Sequence, residues 1–196
     1  MVVLAAYAWK SNAELIADVA KLYFADDPLV LDPTFGRGKW WTKYRPTRLV
    51  AHDKYKLDGV DFRALPEADN TFDVVAYDPP YVSKGGRKTS GIKDFDDRYG
   101  LENAPSTPEK LQDYINEGLA ECARVSKGLV LVKLKNYISS GKYFNALKKT
   151  TDFAEDVCGL TLVDMFIHTG PPGTQPAGRR QVHARNNYSI LLVFRK

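Results

Sequence analysis

The stretch Phe72-Asp73-Val74-Val75-Ala76-Tyr77-Asp78-Pro79-Pro80-Tyr81 constrains this chain more than any other. Its first part is a run of β-branched and aromatic residues, which predicts a buried strand. Pro79 and Pro80 have no amide hydrogen to donate and hold φ near −65°, so the strand must end there. The Asp78 carboxylate, the Pro79 carbonyl and the Tyr81 ring are then held in a rigid cluster at the C-terminal edge of a strand. Ligands of open α/β sheets bind at that edge. We read the cluster as a receptor for a flat base that carries an amino group.

Alternating helical and extended patterns surround this stretch. Lys10 to Phe24 has a helical period (Leu15, Ile16, Val19, Ala20 and Tyr23), with Ser11 or Asn12 as cap and Asp26-Asp27-Pro28 as stop. Leu29-Val30-Leu31 is a short buried strand, Arg48 to Asp53 a second, Val60-Asp61-Phe62 a weak third, and Phe72 to Tyr77 the fourth. Ser106-Thr107-Pro108-Glu109 opens a helix with a capping-box spacing and an early proline. Its apolar face is Leu111, Tyr114, Ile115, Leu119 and Cys122, and Gly128 stops it. Leu129 to Val132 is a fifth, central strand. Ser140 to Val157 reads as a helix with Phe144, Leu147 and Val157 inward, and Leu160 to His168 and Tyr188 to Phe194 are the last two strands. The sum is a doubly wound α/β domain over residues 1–196. Its sheet is mostly parallel and seven-stranded, with one antiparallel strand. Two connections lack periodicity, 82–105 and 169–187, and are expected to be substrate-binding loops.

Composition narrows the class. At 196 residues, 44% hydrophobic and 27% charged, the chain has ordinary globular values. No apolar run approaches the roughly 18 residues of a membrane span, and the apolar N-terminus is too short for a signal peptide. Cys122 and Cys158 read as buried thiols rather than a disulfide, which fits a reducing cytoplasm. A net charge of +4 and a pI near 8.9 are compatible with a nucleic-acid partner. Oligomeric state is not legible.

The first strand runs into Asp32-Pro33-Thr34-Phe35-Gly36-Arg37-Gly38-Lys39. A bare Gly-x-Gly is equally an ordinary tight turn. Its place after the first strand, with Asp53 ending the second, is the layout of a nucleotide site in which the acid binds ribose hydroxyls. No Gly-Lys-Ser/Thr follows, so a P-loop is excluded. Asp61 is placed to accept a hydrogen bond from a cofactor adenine and Phe62 to stack on it; a solvated strand-end acid is an equal alternative. Three segments are candidates for gripping nucleic acid. Arg37, Lys39, Lys43, Arg45 and Arg48 alternate with Trp40, Trp41 and Tyr44. Lys84, Arg87 and Lys88 follow the central cluster, and Arg179, Arg180, His183 and Arg185 lie in the last loop. Asp94, Asp96 and Asp97 have no His or Cys to complete a metal site, so no metal is expected. His52 and His168 read as structural.

Taken together, the glycine turn, Asp53 and Asp78-Pro79-Pro80-Tyr81 resemble the amino-methyltransferases, which use S-adenosylmethionine to methylate exocyclic amines of nucleic-acid bases. The resemblance runs from the helix at Lys10 to the last strand and implies a Rossmann-like fold. It implies that Asp32, Pro33, Thr34, Gly36, Gly38, Asp53, Asp61 and Phe62 bind the cofactor, and that Asp78, Pro79, Pro80 and Tyr81 hold the target amine. The Asp-Pro-Pro-Tyr form is typical of adenine-N6 enzymes, and the short chain resembles the small stand-alone forms of phages and mobile elements. DNA is the implied substrate; an RNA base (adenine-N6 or guanine-N2) is the alternative, and a silent cofactor-binding subunit a second one. Trp40-Trp41 departs from the commoner Asp-Pro-Phe-x-Gly-x-Gly-Thr form.

Overall fold

In a computed structural model of the chain, residues 4–7, 9–81, 105–170, 180–184 and 186–196 are described. Eight strands and three α-helices lie among them: α1 (Asn12–Tyr23), β1 (Leu29–Asp32), β2 (Arg48–Ala51), β3 (Phe72–Tyr77), α2 (Pro108–Val125), β4 (Ser126–Leu134), β5 (Tyr137–Ser139), β6 (Lys142–Phe144), α3 (Ala146–Asp156), β7 (Thr161–Thr169) and β8 (Tyr188–Arg195). Six strands form one sheet in the order β2-β1-β3-β4-β8-β7, and β5 and β6 form a separate hairpin. Strands β2, β1, β3 and β4 are parallel, and β8 is antiparallel to both its neighbours. The C-terminal ends of β1, β2, β3, β4 and β7 therefore share one edge. This is the expected doubly wound, mostly parallel α/β fold.

The sheet carries a core on each face. Val30, Val74, Ala76, Leu131 and Val193 pack against Leu15, Ile16 and Val19 of α1 and against Trp40 and Trp41. Leu31, Val75, Tyr77, Val130, Val132 and Phe194 pack against Leu111, Ile115, Leu119 and Cys122 of α2. Alternate residues of β3 thus face opposite cores, both dry, as a central parallel strand requires. Helix α1 carries the expected cap, and α2 is capped by Thr107, one residue beyond the Ser106 of the expected capping-box spacing. Ser11 Oγ accepts from the Glu14 amide at 3.2 Å and Thr107 Oγ1 from the Lys110 amide at 3.2 Å. Gly118 of α2 lies so close to β3 that a Cβ there would collide with the Tyr77 hydroxyl and the Phe62 ring.

The structure corrects four expectations. The sheet has six strands, not seven, among the described residues, because Val60–Phe62 is not a strand. Asp61 turns its carboxylate back onto the Arg63 amide at 3.0 Å, and its carbonyl accepts from the Ala64 amide at 2.9 Å; such an Asx turn competes with sheet pairing. Gly128 does not stop α2, which ends at Val125; it lies within β4, where a Cβ would stand 2.6 Å from the Asp73 carbonyl oxygen. Ser140–Val157 is not one helix. Ser140 (φ 47°) and Gly141 (φ 76°) form the two-residue turn of the β5–β6 hairpin, with both central φ positive as the twist of paired strands favours. Helix α3 starts only at Ala146, and Val157 is exposed.

Past a register shift between Leu162 and Asp164, the β7–β8 pair keeps its register to the Thr169 end. Thr169 lies opposite Tyr188, and beyond it the Gly170 amide donates to the Asn187 carbonyl at 2.6 Å. Cys122 and Cys158 are both free thiols. No described helix is long and apolar enough to cross a membrane.

Candidate active site

The glycine turn is built from the end of β1 outward. Asp32 is 4% exposed, and its two carboxylate oxygens are already used: Oδ1 accepts from the Thr34 amide at 3.0 Å, and Oδ2 from the Trp41 indole N–H at 2.7 Å. Burial pushes its carboxyl up to about 7, against these hydrogen bonds, and the neighbouring Asp78 charge pushes the same way. Gly36 (φ 56°) and Gly38 (φ 64°) take the left-handed conformation that favours glycine. At Gly38 a Cβ would also stand 2.6 Å from the Phe35 ring. Trp40 and Trp41 are buried, so they support the turn from below.

Asp53, just beyond β2, closes the other side. Its Oδ2 accepts from the Gly36 amide at 2.8 Å, and its Oδ1 from the Tyr55 and Lys56 amides at 2.9 and 2.7 Å. Three bonds leave a carboxylate with one of about four acceptor positions free. Asp61 is different. It accepts from Lys54 Nζ (2.7 Å) and from three nitrogens of Arg63 (2.8–3.1 Å). Burial works against its charged form, but the Arg63 and Lys54 bonds hold the carboxyl well below the usual range. Its acceptor capacity is filled, so the expected contact to a cofactor adenine has no free oxygen. Phe62 is 7% exposed, with its ring against Tyr77 (centroids 5.3 Å) and Tyr114 (5.0 Å). It belongs to the core, and the expected stacking on a cofactor ring is not available to it.

Asp78, Pro79, Pro80 and Tyr81 follow β3 next door. One bond ties them to the glycine turn: the Asp78 amide donates to Thr34 Oγ1 at 2.9 Å, and the Thr34 hydroxyl in turn reaches Asp32 Oδ1 at 3.4 Å. Asp78 Oδ1 is shielded from solvent and has no hydrogen-bond donor. Two further buried nitrogens on the same edge also lack partners, Trp40 Nε1 and His168 Nε2. Burial pushes the Asp78 carboxyl up, and the Lys133 charge and the Trp40 indole N–H pull it partly back. Pro79 is buried and Tyr81 half-buried.

Lys133 was not foreseen from the sequence. It is the next residue of β4 after Val132, which pairs with Tyr77. Its side chain is 4% exposed, with Nζ 3.7 Å from Asp78 Oδ1 and 3.5 Å from the Tyr81 hydroxyl, over the Trp40 and Tyr81 rings at 5.9 and 5.6 Å. A lysine within the apolar run Leu129–Leu134, near the ligand edge, was the available signal.

The outer basic residues are only partly placed. Arg37, Lys39, Lys43, Arg45, Arg48 and Arg180 are exposed. Arg45 stands over the Phe35 ring at 6.0 Å. His183 Nε2 lies 3.0 Å from the Gly141 carbonyl oxygen, so the end of the last loop rests on the β5–β6 hairpin. Lys84, Arg87, Lys88, Arg179 and Arg185, and Asp94, Asp96 and Asp97, lie outside the described residues. His52 is structural, held between Asp58 and Glu67. Among the described residues no group of three or more His, Cys, Asp or Glu could hold a metal ion. A groove of 470 Å³, lined by Glu109, Asp113, Phe144, Lys149 and Phe153 among others, shares no residue with the Asp78 cluster.

No protein-family model matches the chain, and no curated protein matches its sequence. Solved structures share its fold. Magnesium protoporphyrin IX methyltransferase (ChlM) from Synechocystis PCC 6803, with bound SAM, superposes with a TM-score of 0.53 at 10% identity, over 94% of this chain and 79% of that one. The CcbJ methyltransferase from Streptomyces caelestis does so at 0.51 and 12% identity, over 94% and 88%. The [4+2]-cyclase SpnF reaches 0.56 at 12% identity, over 94% and 81%. One fold thus serves methyltransferases and a cyclase, and function must be argued from the site.

Proposed function

We propose that this chain is an S-adenosylmethionine-dependent methyltransferase acting on the N6 amine of adenine in DNA. The observation that carries the reading is Asp78 Oδ1: a buried acceptor without a donor, beside the Pro79 carbonyl, on a segment tied through Thr34 to the glycine turn. The fold is that of structures holding SAM or SAH, and the residues fit such a cofactor. Gly36 and Gly38 leave the turn bare, and Asp53 keeps an acceptor position for a ribose hydroxyl. Asp32, Pro33 and Thr34 act here by shaping the turn.

The bound cofactor supplies an electrophilic methyl group. An exocyclic amine is a poor nucleophile because its lone pair is delocalised into the ring. Asp78 Oδ1 and the Pro79 carbonyl accept its two hydrogens and favour a pyramidal nitrogen whose lone pair is free. The positive charge that develops on nitrogen is stabilised by the same two acceptors. Tyr81 offers a ring face to the base; stacking contributes roughly 1–3 kcal/mol, which offsets part of the few kcal/mol needed to unstack the base from a duplex. Asp78 need not be a strong base, since the proton leaves after transfer.

The test is transfer of a labelled methyl group from S-adenosylmethionine to unmethylated DNA, with RNA in parallel. Label in N6-methyladenine of DNA supports the reading; label in RNA alone moves the substrate to an RNA base. Cofactor binding with transfer to neither makes the chain a silent subunit. Asp78→Ala is expected to lower transfer by about a hundredfold or more, the scale of losing one preorganised polar group, with cofactor affinity unchanged by calorimetry. A variant that loses both together removes the role given to Asp78.

A further inference from the structure

Burying an ammonium group costs several kcal/mol unless a partner repays it. Lys133 is buried at 3% exposure in a strand whose neighbouring positions Leu131, Val132 and Leu134 are all apolar and buried. Its cross-strand partner on β8 is Leu191. A fold-only account puts an apolar side chain here, since such replacements of buried charges are often neutral or stabilising. The two polar contacts of Lys133 instead both belong to the cluster after β3, at 3.7 Å to Asp78 Oδ1 and 3.5 Å to the Tyr81 hydroxyl. Both are long, so the ammonium is not locked into a closed ion pair.

We infer that Lys133 is a positioning residue for the amine site: its charge keeps Asp78 an ionised acceptor inside a dry edge, and its contacts set the Tyr81 ring against which the base stacks. The inference rests on the methyltransferase reading. The other groups facing Asp78 do not supply this charge. Asp32 on β1 is an acid and adds repulsion. Tyr81 is on the cluster's own loop, and its phenol is pushed up by burial and by Asp78. The Trp40 indole N–H favours the ionised carboxylate as a donor but carries no charge. His168, near Lys133 on β7, is held below its usual value by burial and by the Lys133 charge, against a hydrogen bond to the Lys10 backbone and the Glu14 charge, so it is a poor source of positive charge. A neutral Asp78 is a weaker acceptor, and its proton occupies one of the positions the amine needs. At 3.7 Å a cation offsets burial without taking the lone pairs that a direct hydrogen bond would consume.

The test compares wild type with Lys133→Met, Lys133→Gln and Lys133→Arg. The Asp78 carboxyl is followed by carbon NMR, assigned through Asp78→Asn, and single-turnover methyl transfer to unmethylated DNA is measured across pH. Both neutral variants are expected to raise the Asp78 midpoint by about one unit or more, a tenfold change in its ionisation constant. The acid limb of transfer moves to higher pH with it, while cofactor affinity stays the same. Lys133→Arg is expected to restore the wild-type midpoint. A midpoint unmoved in the folded neutral variants overturns the inference; the glutamine variant covers the case in which methionine fails to fold. If wild type transfers methyl to no nucleic acid, the functional reading fails, yet the NMR titration still decides whether Lys133 sets Asp78.

Discussion

The two halves of the candidate site treat their carboxylates in opposite ways. On the β1–β2 side, Asp32, Asp53 and Asp61 are tied into three, three and four hydrogen bonds by their own loops. On the β3–β4 side, Asp78 Oδ1 is buried and unpaired, with a buried lysine at long range. Leaving a buried polar atom unpaired costs about 1–3 kcal/mol. The first half keeps only one acceptor position of Asp53 open, and the second is left open where a reacting group must be received. Preorganised acceptors that a fold does not itself consume are what transition-state stabilisation needs.

Thr34 joins the halves, so Thr34→Val breaks the comparison most directly. The variant leaves the Asp78 amide without its acceptor. It is expected to cost about 1–3 kcal/mol of stability in urea denaturation and to lower methyl transfer well beyond any change in cofactor affinity. An equal loss of both would mean that the turn, not the tether, was damaged. Gly38→Ala attacks the first half alone. The left-handed conformation costs about 1–2 kcal/mol for a residue with a Cβ, and the Phe35 ring must also move. Cofactor affinity by calorimetry should fall while the Asp78 titration stays where it is; a shifted titration would show that the halves are not separable.

The smallest effect concerns His52. Burial lowers its pKa, but hydrogen bonds to Glu67 at 2.6 Å and to Asp58 outweigh this and raise it above the usual 6.5. Its stabilising contribution is therefore fully present below pH 6.5 and is lost as pH rises through the raised folded value. The stability gap between wild type and His52→Asn should shrink with rising pH, read from urea melts across pH 5.5–9. A gap that is constant or grows would make the histidine a packing residue only.

Much of this was legible because local chemistry and tertiary context agreed. The double proline ends β3 where expected, Ser11 and Thr107 cap α1 and α2, and Gly36 and Gly38 have the positive φ that a ligand turn requires. The misreadings came where a local device beat a pattern. Asp61 reads as a strand-end acid until its side chain is seen to capture the Arg63 amide and guanidinium. Phe144 belongs to a hairpin because Ser140-Gly141, a turn dipeptide, interrupts what looks like helical spacing. Lys133 was missed because the strand was closed two residues early, at Val132 rather than Leu134. Nothing in one-dimensional spacing says that a lysine on β4 faces an aspartate 55 positions earlier; only the parallel register of β3 and β4 does.

The closed base of the β7–β8 pair has a consequence for how this molecule can change. The chain leaves the sheet at Thr169 and re-enters it at Tyr188, directly opposite, on the edge that carries Asp78. Closing a flexible loop costs only about 0.6 kcal/mol more for each doubling of its length. The connection between these two residues can therefore gain or lose segments at almost no thermodynamic cost, with Lys133, Asp78 and the glycine turn left where they are. On the proposed function, target preference can then drift in that connection while the cluster after β3 stays as it is.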